Sequence, residues 1–483
     1  MTKFLKFVKT PFLLRIFIYS FIFIFCLYIP KDPDLGWHLK YGEYFFQHRQ
    51  ILMNNTFSVE MPDYKYINSA WLTDVITYLA YYLGGFWGIS ILAAVVLTLT
   101  FFFFSKASKL TLFQETFVLP LVLLFEAPLF RNSFRGYMLS FLGLSILFYI
   151  LSKNSKKALL LLPPLFLIWV NFHGQFVLGL GLFLIWIAFK LGIDFLKSKD
   201  FSKLKYEAKF LSVIFLSSVL VTFINPFGAD IYKEVFRHAS NTSQKYIQEW
   251  SPVDDYSFFW WQLYVWLFLI GIGSLIIIYK KKLFEYAYFI LLAFALLFAS
   301  FEIRRYIWVT LLLSIPIIKH LFSFSDKLSN FLKNILISIM LILGLIFIIF
   351  IKIPDLKSVP MNWDTYCNYL YCSPKSAEFL ESHLDSSTLL SDFNFGGWLI
   401  WNYPKIKPTI DGRMAFWQDE TGYNAFYNYV LIETNQTDID QTKYDLVYIS
   451  IQKPLFGRLI QLVQEGKWEI IYDDPYAFIF KRK

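Results

Sequence analysis

The amino-acid sequence predicts a polytopic α-helical membrane protein with a small α/β domain at its C-terminal end. Hydrophobic residue types make up 57% of the chain, and its mean hydropathy is +0.48. These residues are concentrated in long runs, which is typical of membrane-spanning helices. Lysine-rich segments separate the runs, and the pattern changes to short strands and helices only after about residue 354.

The first apolar run extends from Phe12 to Ile29 and follows a basic N-terminal segment. This resembles a signal peptide, but the run is too long and no small-residue cleavage site follows it. We therefore expect an uncleaved first membrane helix whose N-terminus is cytoplasmic.

Further apolar runs bring the expected number of membrane helices to about eleven. Proline interrupts two of them, which neighbouring helices can accommodate in a membrane. The predicted spans are 11–30, 86–105, 111–129, 136–152, 158–172, 175–194, 209–225, 260–279, 284–301, 305–321 and 332–352.

The positions of the lysines give an independent prediction of topology. Lysine occurs in every loop predicted to be inside, as the positive-inside rule requires. Retention of these loops in the cytoplasm explains the net charge of +9 better than nucleic-acid binding does. An odd number of spans places the C-terminal tail outside the cytoplasmic membrane.

We therefore expect a transmembrane domain over residues 1–353 and an extracytoplasmic α/β domain over 354–483. The first outer loop, 31–85, is long. Its segment Trp37–Phe46 has apolar residues at helical spacing and predicts an amphipathic helix at the membrane interface. A second helix is expected from Asn68 or Ser69 to the pair Gly84–Gly85.

Asp32 and Asp34 follow the first membrane helix directly and are the leading candidates for chemistry. Pro33 favours an extended Asp32, so that the two carboxylates would point the same way toward a substrate, proton or divalent cation. The alternative is a pair of polar residues that ends a helix. His38, one helical turn further, is either a third ligand or orienting group or an interfacial histidine.

Basic residues in the predicted outer loops form a second candidate set. Outside is the wrong side for arginines that determine topology, and arginine binds phosphate in a bidentate manner. These residues are Arg131, Arg135, Arg304 and Arg305. Glu302 could instead pair with Arg305 on one helix face.

Three further features have both a structural and a functional interpretation. Trp169–Gln175, which contains His173, is either a tight buried turn or part of a site. Glu249, with Asp254 and Asp255, lies at an outer boundary and could supply another carboxylate or be solvated. Cys367 and Cys372 could form a local disulfide outside the cell.

The tail contains Gly396–Trp401, read Gly-Gly-Trp-Leu-Ile-Trp, and Asp411-Gly412-Arg413. The glycine pair is too short to be called a phosphate-binding loop, and Asp-Gly is first a turn signal. No catalytic triad, zinc motif or dinucleotide fingerprint is evident in the sequence.

Taken together, these features resemble the GT-C superfamily of membrane glycosyltransferases, which includes oligosaccharyltransferases, protein mannosyltransferases and aminoarabinose transferases. The resemblance is to uncharacterised bacterial members with Asp-x-Asp-x-x-Trp-His-Leu, here Asp32 to Leu39. It extends to Trp-x-Asn-x-His-Gly, here Trp169 to Gly174, and to the two tail motifs.

The resemblance implies transfer of a sugar from a polyprenyl-phosphate donor to a glycan, lipid or protein acceptor on the outer face of the membrane. Asp32 or Asp34 would be the general base or a metal ligand, and the outer arginines would bind the donor phosphate. It leaves open whether Mg²⁺ or Mn²⁺ takes part.

Two other classes remain open at this stage. A lipid or polysaccharide transporter would also place ionisable residues among membrane helices. A non-catalytic protein of envelope assembly could use the tail as a binding module. Glu60 and Asp63, acidic residues elsewhere in the first outer loop, are expected to matter little.

Overall fold

The computed structural model describes residues 11–130, 134–240, 246–247, 249–253, 257–383 and 388–483. Helices dominate this part of the chain. Those of the first half are α1 Pro11–Phe25, α2 Leu35–His48, α3 Trp71–Ser108, α4 Leu112–Phe130, α5 Gly136–Ser152, α6 Lys156–Leu159, α7 Leu162–Phe172, α8 Phe176–Ser198, α9 Phe201–Val221 and α10 Asp230–Ser240.

The second half contains both helices and the strands of the tail. Its helices are α11 Phe258–Tyr279, α12 Leu283–Glu302, α13 Ile307–Ile318, α14 Asn330–Phe347, α15 Ile353–Leu356, α16 Trp363–Leu370, α17 Pro374–Ser382, α18 Gly396–Asn402, α19 Ala425–Glu433 and α20 Pro454–Gln464. Its strands are β1 Leu389–Ser391, β2 Leu446–Ser450, β3 Trp468–Asp473 and β4 Ala477–Arg482.

Helices occur at all the predicted spans, and the chain is a multi-pass membrane protein. Among the described residues, 6 helical stretches are long and apolar enough to cross a membrane: Trp71–Ser108, Phe176–Ser198, Phe258–Tyr279, Leu283–Glu302, Arg304–Lys327 and Asn330–Leu356. α1 and α5 are shorter apolar helices. The expected total of about eleven spans stays a prediction.

The chain divides into two compact units. The helical unit comprises Met1–Ile29, Ser90–Val235 and Lys245–Ser358, and the loop–tail unit comprises Pro30–Ile89, Phe236–Gln244 and Val359–Lys483. The first loop thus groups with the residues after Ser358. The expected division into domains at 1–353 and 354–483 stays a prediction.

Small residues allow close packing in the helical unit. A Cβ atom on Gly143 would lie 2.7 Å from the Trp169 ring, and one on Gly179 would lie 2.5 Å from it. The indole therefore occupies the space that two glycines leave on α5 and α8. Such close approach through small residues is common between membrane helices.

The tail is a small α/β domain, as predicted. Its four-stranded sheet has the order β1-β2-β4-β3, with β1 parallel to β2 and the other pairs antiparallel. The predicted hairpin is the β3–β4 pair. Helices pack on the sheet around a core that includes Phe395, Trp398 and Tyr448. Cys367 and Cys372 form the expected disulfide.

Both helices predicted in the first loop are present. α2 is buried around much of its first two turns, where Trp37, Leu39 and Tyr41 are all buried. α3 begins at Trp71, and the N–H of Ala70 bonds to the Asn68 side chain just before it. Gly85 breaks α3 with a left-handed φ of 57°, which glycine adopts without strain. The helix predicted to end at Gly84–Gly85 therefore does end there.

Candidate functional site

Asp32 and Asp34 lie in the turn that starts α2. The Asp34 N–H donates to Asp32 Oδ1 at 3.0 Å, and the Leu35 N–H donates to the Asp32 carbonyl at 3.0 Å. Asp34 has φ −82° and ψ −13°, which are helical values. The prediction of an extended segment was therefore wrong here, because the Asp32 side chain accepts from the backbone two residues on and closes a turn.

Burial distinguishes the two carboxylates. Asp32 is 0% exposed, and its carbonyl accepts a hydrogen bond from the Tyr366 hydroxyl of the tail. Asp34 is only half-buried. A ligand that enters this site would therefore meet Asp34 more readily than Asp32.

Two glycines of the tail motifs contact this acidic turn. A Cβ atom on Gly397 would overlap the Pro33 carbonyl and lie 3.3 Å from Asp34 Cα. A Cβ atom on Gly412 would overlap Asp34 Oδ1, and Oδ2 would be only 2.8 Å away. Because glycine has no side chain, these two positions leave space for the turn and for the Asp34 carboxylate.

The glycine pair also joins two helices. A Cβ atom on Gly36 of α2 would overlap the carbonyl of Gly397, which lies in the first turn of α18. A side chain at either position would separate the helices. The Gly-Gly-Trp-Leu-Ile-Trp motif therefore has a packing role that brings the tail onto the acidic turn.

His38 has a fixed carboxylate partner. Its Nδ1 lies 2.6 Å from Oδ1 of the buried Asp74, and Asn68 Nδ2 donates to Asp74 Oδ2 at 2.7 Å. The Trp37 ring stacks on the imidazole at 3.6 Å. Burial lowers the pKa of His38, but Asp74, together with Asp32 and Asp34, outweighs this and raises it above its usual value.

Asp411 and Arg413 form a buried ion pair that holds the first loop to the tail. Arg413 donates to Asp411 at 2.8 and 2.7 Å and to the Asn55 side chain at 2.9 Å. Burial raises the pKa of Asp411, but the adjacent Arg413 guanidinium outweighs this and lowers it. The ring of Phe57 lies 4.7 Å from the guanidinium carbon. The pair therefore links two distant segments of the loop–tail unit.

Glu60 has a structural role that the sequence analysis missed. It is 7% exposed, and it accepts hydrogen bonds from the hydroxyls of Tyr423 and Tyr444, both at 3.0 Å. Lys443 lies 2.5 Å away. Asp63 is exposed and is therefore the better control residue.

Part of the arginine set lies together in the helical unit. Glu249 is 3.9 Å from Arg135 and 3.7 Å from Arg305. Arg304 Nε donates to the Pro252 carbonyl at 3.1 Å. No ion pair of Glu302 is found among the described residues, and Arg305 pairs with Glu249. The candidates Arg131, Asp254 and Asp255 lie outside the described residues.

His173 belongs to a packed turn of the helical unit. Its Nδ1 lies 2.8 Å from Ser140 Oγ, to which Trp169 Nε1 also donates, at 3.0 Å. Asn171 donates to the Leu167 and Ile224 carbonyls. The segment is thus a packed turn, and a functional role of His173 stays a prediction.

Glu126 is a buried acidic residue that the sequence analysis did not select. It lies in α4 and is 0% exposed, and neither carboxylate oxygen has a hydrogen-bond partner among the described residues. A single acidic residue within an apolar run is a recognised sign of a functional position in membrane proteins. That signal was present in the sequence.

The described side chains do not assemble a metal centre. In the described part of the chain, no group of three or more His, Cys, Asp or Glu residues is placed so that it could hold a metal ion. Of the expected ligands, Asp32 is buried and its carboxylate accepts from the backbone. We therefore derive no step through a metal ion, and a role for Mg²⁺ or Mn²⁺ stays a prediction.

No protein-family model and no curated protein matches this sequence. Several solved structures are similar in fold, including the following two. One is the archaeal oligosaccharyltransferase AglB from Archaeoglobus fulgidus, in complex with an inhibitory peptide and a dolichol-phosphate, with a TM-score of 0.56 and 11% identity. The match covers 94% of this chain and 71% of that chain.

The other is ArnT from Cupriavidus metallidurans, bound to undecaprenyl phosphate, with a TM-score of 0.50 and 12% identity. This match covers 97% of both chains. At such identities the similarity concerns the fold.

Proposed function

We propose that this chain, which has the fold of the GT-C superfamily, is a membrane glycosyltransferase. It transfers a sugar from a polyprenyl-phosphate donor to an acceptor on the outer face of the cytoplasmic membrane. Asp34 is the general base in this proposal, and Asp32 holds the turn that presents it.

One observation carries the proposal. The acidic turn of the first loop and both glycine motifs of the tail meet at Asp34, although more than three hundred residues separate them in the sequence. Gly412 lies against the Asp34 carboxylate, and Gly397 lies against the turn itself. Polar residues that only ended a helix would not require glycines packed against a carboxylate and its turn. The two neighbours of the same fold, each bound to a polyprenyl-type phosphate, support the donor class.

The proposed reaction needs one base and one stabilised leaving group. The acceptor nucleophile attacks the anomeric carbon of the donor sugar and gives its proton to Asp34. The bond between that carbon and the phosphate oxygen breaks, and polyprenyl phosphate leaves with the bonding electrons.

The outer arginines are proposed to bind this phosphate and stabilise its charge. The Arg135 and Arg305 guanidinium groups both lie near the Glu249 carboxylate, at 3.9 and 3.7 Å. They are therefore close enough together for one phosphate to contact both.

The test is an assay of purified protein with a panel of polyprenyl-phosphate sugars. Asp34→Asn keeps the shape of the side chain and removes its proton affinity, so turnover should fall by about 10²–10⁴-fold. Asp63→Asn is the matched control, because Asp63 lies exposed in the same loop. Rescue of Asp34→Asn by added Mn²⁺ would assign a metal-binding role instead.

Full transfer activity in Asp34→Asn would show that the base lies elsewhere. Absence of transfer by the wild type with every donor of the panel would favour the transporter or the envelope-assembly function.

A further inference from the structure

The helical unit contains a cavity lined by lysines, and none of the candidate residues discussed above lines it. It encloses about 1080 Å³ of empty space, part of which is open to solvent. Four lysines line it, and they come from α8 and from the ends of α3 and α13. They are Lys109, Lys190, Lys197 and Lys319.

The charges of this cavity are not balanced. Asp194 and Glu285 also line it, so four positive charges face two negative ones. Lys190 Nζ pairs with Asp194 at 2.9 Å. Lys109 and Lys197 are exposed, and within the described part of the chain neither side chain forms an ion pair. The cavity therefore presents two cations to an incoming anion.

Lys319 differs from an ordinary surface lysine. Its Nζ donates to the Ser108 carbonyl at 2.7 Å and lies 5.3 Å from the centroid of the Tyr286 ring. The ammonium is thus held inside the cavity wall and does not extend into solvent. It ties the end of α13 to the end of α3 and fixes the cavity's shape.

Most of the remaining lining residues are apolar or aromatic. Trp186, Phe189 and Ile193 of α8 line one side, and Phe284 and Phe289 of α12 line another. A small soluble anion would leave these side chains without a partner. A molecule with both a phosphate and an acyl chain matches the two parts of the lining.

We propose that this cavity binds the headgroup of an anionic phospholipid. The phosphate contacts Lys109 and Lys197, and the adjoining chain packs on the aromatic wall. Lys109 and Lys197 lie in loops that the sequence predicts to be cytoplasmic. Anionic lipids on that side of the membrane attract basic residues. The site is separate from the proposed transfer reaction and does not depend on it.

The competing explanation is that these lysines serve only to fix topology. That role requires positive charge in a loop but no particular position around a cavity. Lys203 and Lys205 provide the comparison, because they are exposed lysines of the same predicted inner segment and do not line the cavity.

The experiment measures lipid binding to the purified full chain by native mass spectrometry. Dioctanoyl-phosphatidylglycerol is the probe, with dioctanoyl-phosphatidylcholine and inorganic phosphate as parallel arms. The double variant Lys109→Gln/Lys197→Gln is compared with Lys203→Gln/Lys205→Gln, which removes the same charge. All four positions are exposed, so a thermal melt should confirm that both variants fold.

We expect the cavity variant to bind phosphatidylglycerol about 30-fold more weakly than the wild type, because each lysine should contribute about fivefold. The comparison variant should change less than about threefold. Equal losses in both variants, or equal wild-type binding of phosphatidylcholine, would overturn the proposal. If inorganic phosphate displaces the lipid at equal concentration, the ligand is a soluble anion and the lipid assignment is wrong.

Discussion

Gly412→Ala provides a direct test of the contact between the tail and the acidic turn. The new Cβ atom would overlap Asp34 Oδ1 and lie 2.8 Å from Oδ2, whereas ordinary van der Waals contact begins at 3.4 Å. Even the farther oxygen must therefore move by about 0.6 Å, and Oδ1 by more. The backbone of Gly412 lies outside the left-handed region, so alanine adds no strain of its own.

This displacement should affect activity far more than stability. The clashing atoms are the end of a half-buried side chain, which can rotate away at little cost. Misplacing a reacting group by about 1 Å can reduce turnover by about 10²-fold. We therefore expect Gly412→Ala to lose about 10²-fold in transfer, while its melting temperature stays close to that of the wild type.

Two measurements check this expectation. The first is the transfer assay with the donor on which the wild type is active. The second does not depend on a substrate: labelling of Asp34 by a carbodiimide, read by mass spectrometry, should change when the carboxylate moves.

Gly457→Ala is the matched control, since a Cβ atom there meets nothing within 4 Å. Wild-type transfer and unchanged labelling in Gly412→Ala would refute the assignment of Asp34 as the base held by the tail.

Two further predictions concern the stability of the loop–tail unit. Arg413→Met should destabilise it by about 3–5 kcal/mol, because Asp411 would remain buried without its partner; urea-dependent proteolysis measures this, and adding Asp411→Asn should restore part of the loss. His38 has a pKa above its unfolded value. Its pairing with Asp74 is therefore fully stabilising below about pH 6.5 and is lost as the pH rises through the folded-state pKa. His38→Gln should flatten this alkaline decline in melting temperature, and an unchanged pH profile would contradict it.

The helices and strands could be predicted because each depends on a local pattern. The predicted span 136–152 coincides with α5, Gly136–Ser152. The end expected at Gly84–Gly85 corresponds to the break at Gly85. Hydrophobic runs, glycine breaks and alternating strand residues act over a few positions, so a single sequence contains the information.

The convergence at Asp34 could not be predicted in this way. Gly397 and Gly412 contact the acidic turn because α2 and α18 pack closely, and no local pattern links residue 34 to residue 412. The first loop was predicted to belong to the transmembrane domain because no local pattern links it to the tail. In the sequence, only the family resemblance associated these motifs with one another.

The prediction of an extended acidic segment was wrong because the chain turns at Pro33 and Asp34. The N–H of Asp34 donates to the Asp32 carboxylate, and the N–H of Leu35 donates to the Asp32 carbonyl. Short polar side chains often form such local turns. The spacing of the two aspartates alone did not reveal this turn.

This hydrogen bond also predicts different roles for two carboxylates of identical charge. One oxygen of the Asp32 carboxylate accepts the Asp34 N–H, and an asparagine supplies the same acceptor. We therefore expect Asp32→Asn to retain transfer within about tenfold of the wild type, whereas Asp32→Ala loses the turn and about 10²-fold in turnover. Asp34→Asn should be severely impaired in transfer, because the proposed role of Asp34 depends on the proton affinity of its carboxylate. The three variants are compared in one transfer assay, with melting temperatures to confirm folding. If Asp32→Asn is as inactive as Asp34→Asn, the charge of Asp32 takes part in the reaction, and its burial in the turn is not its whole function.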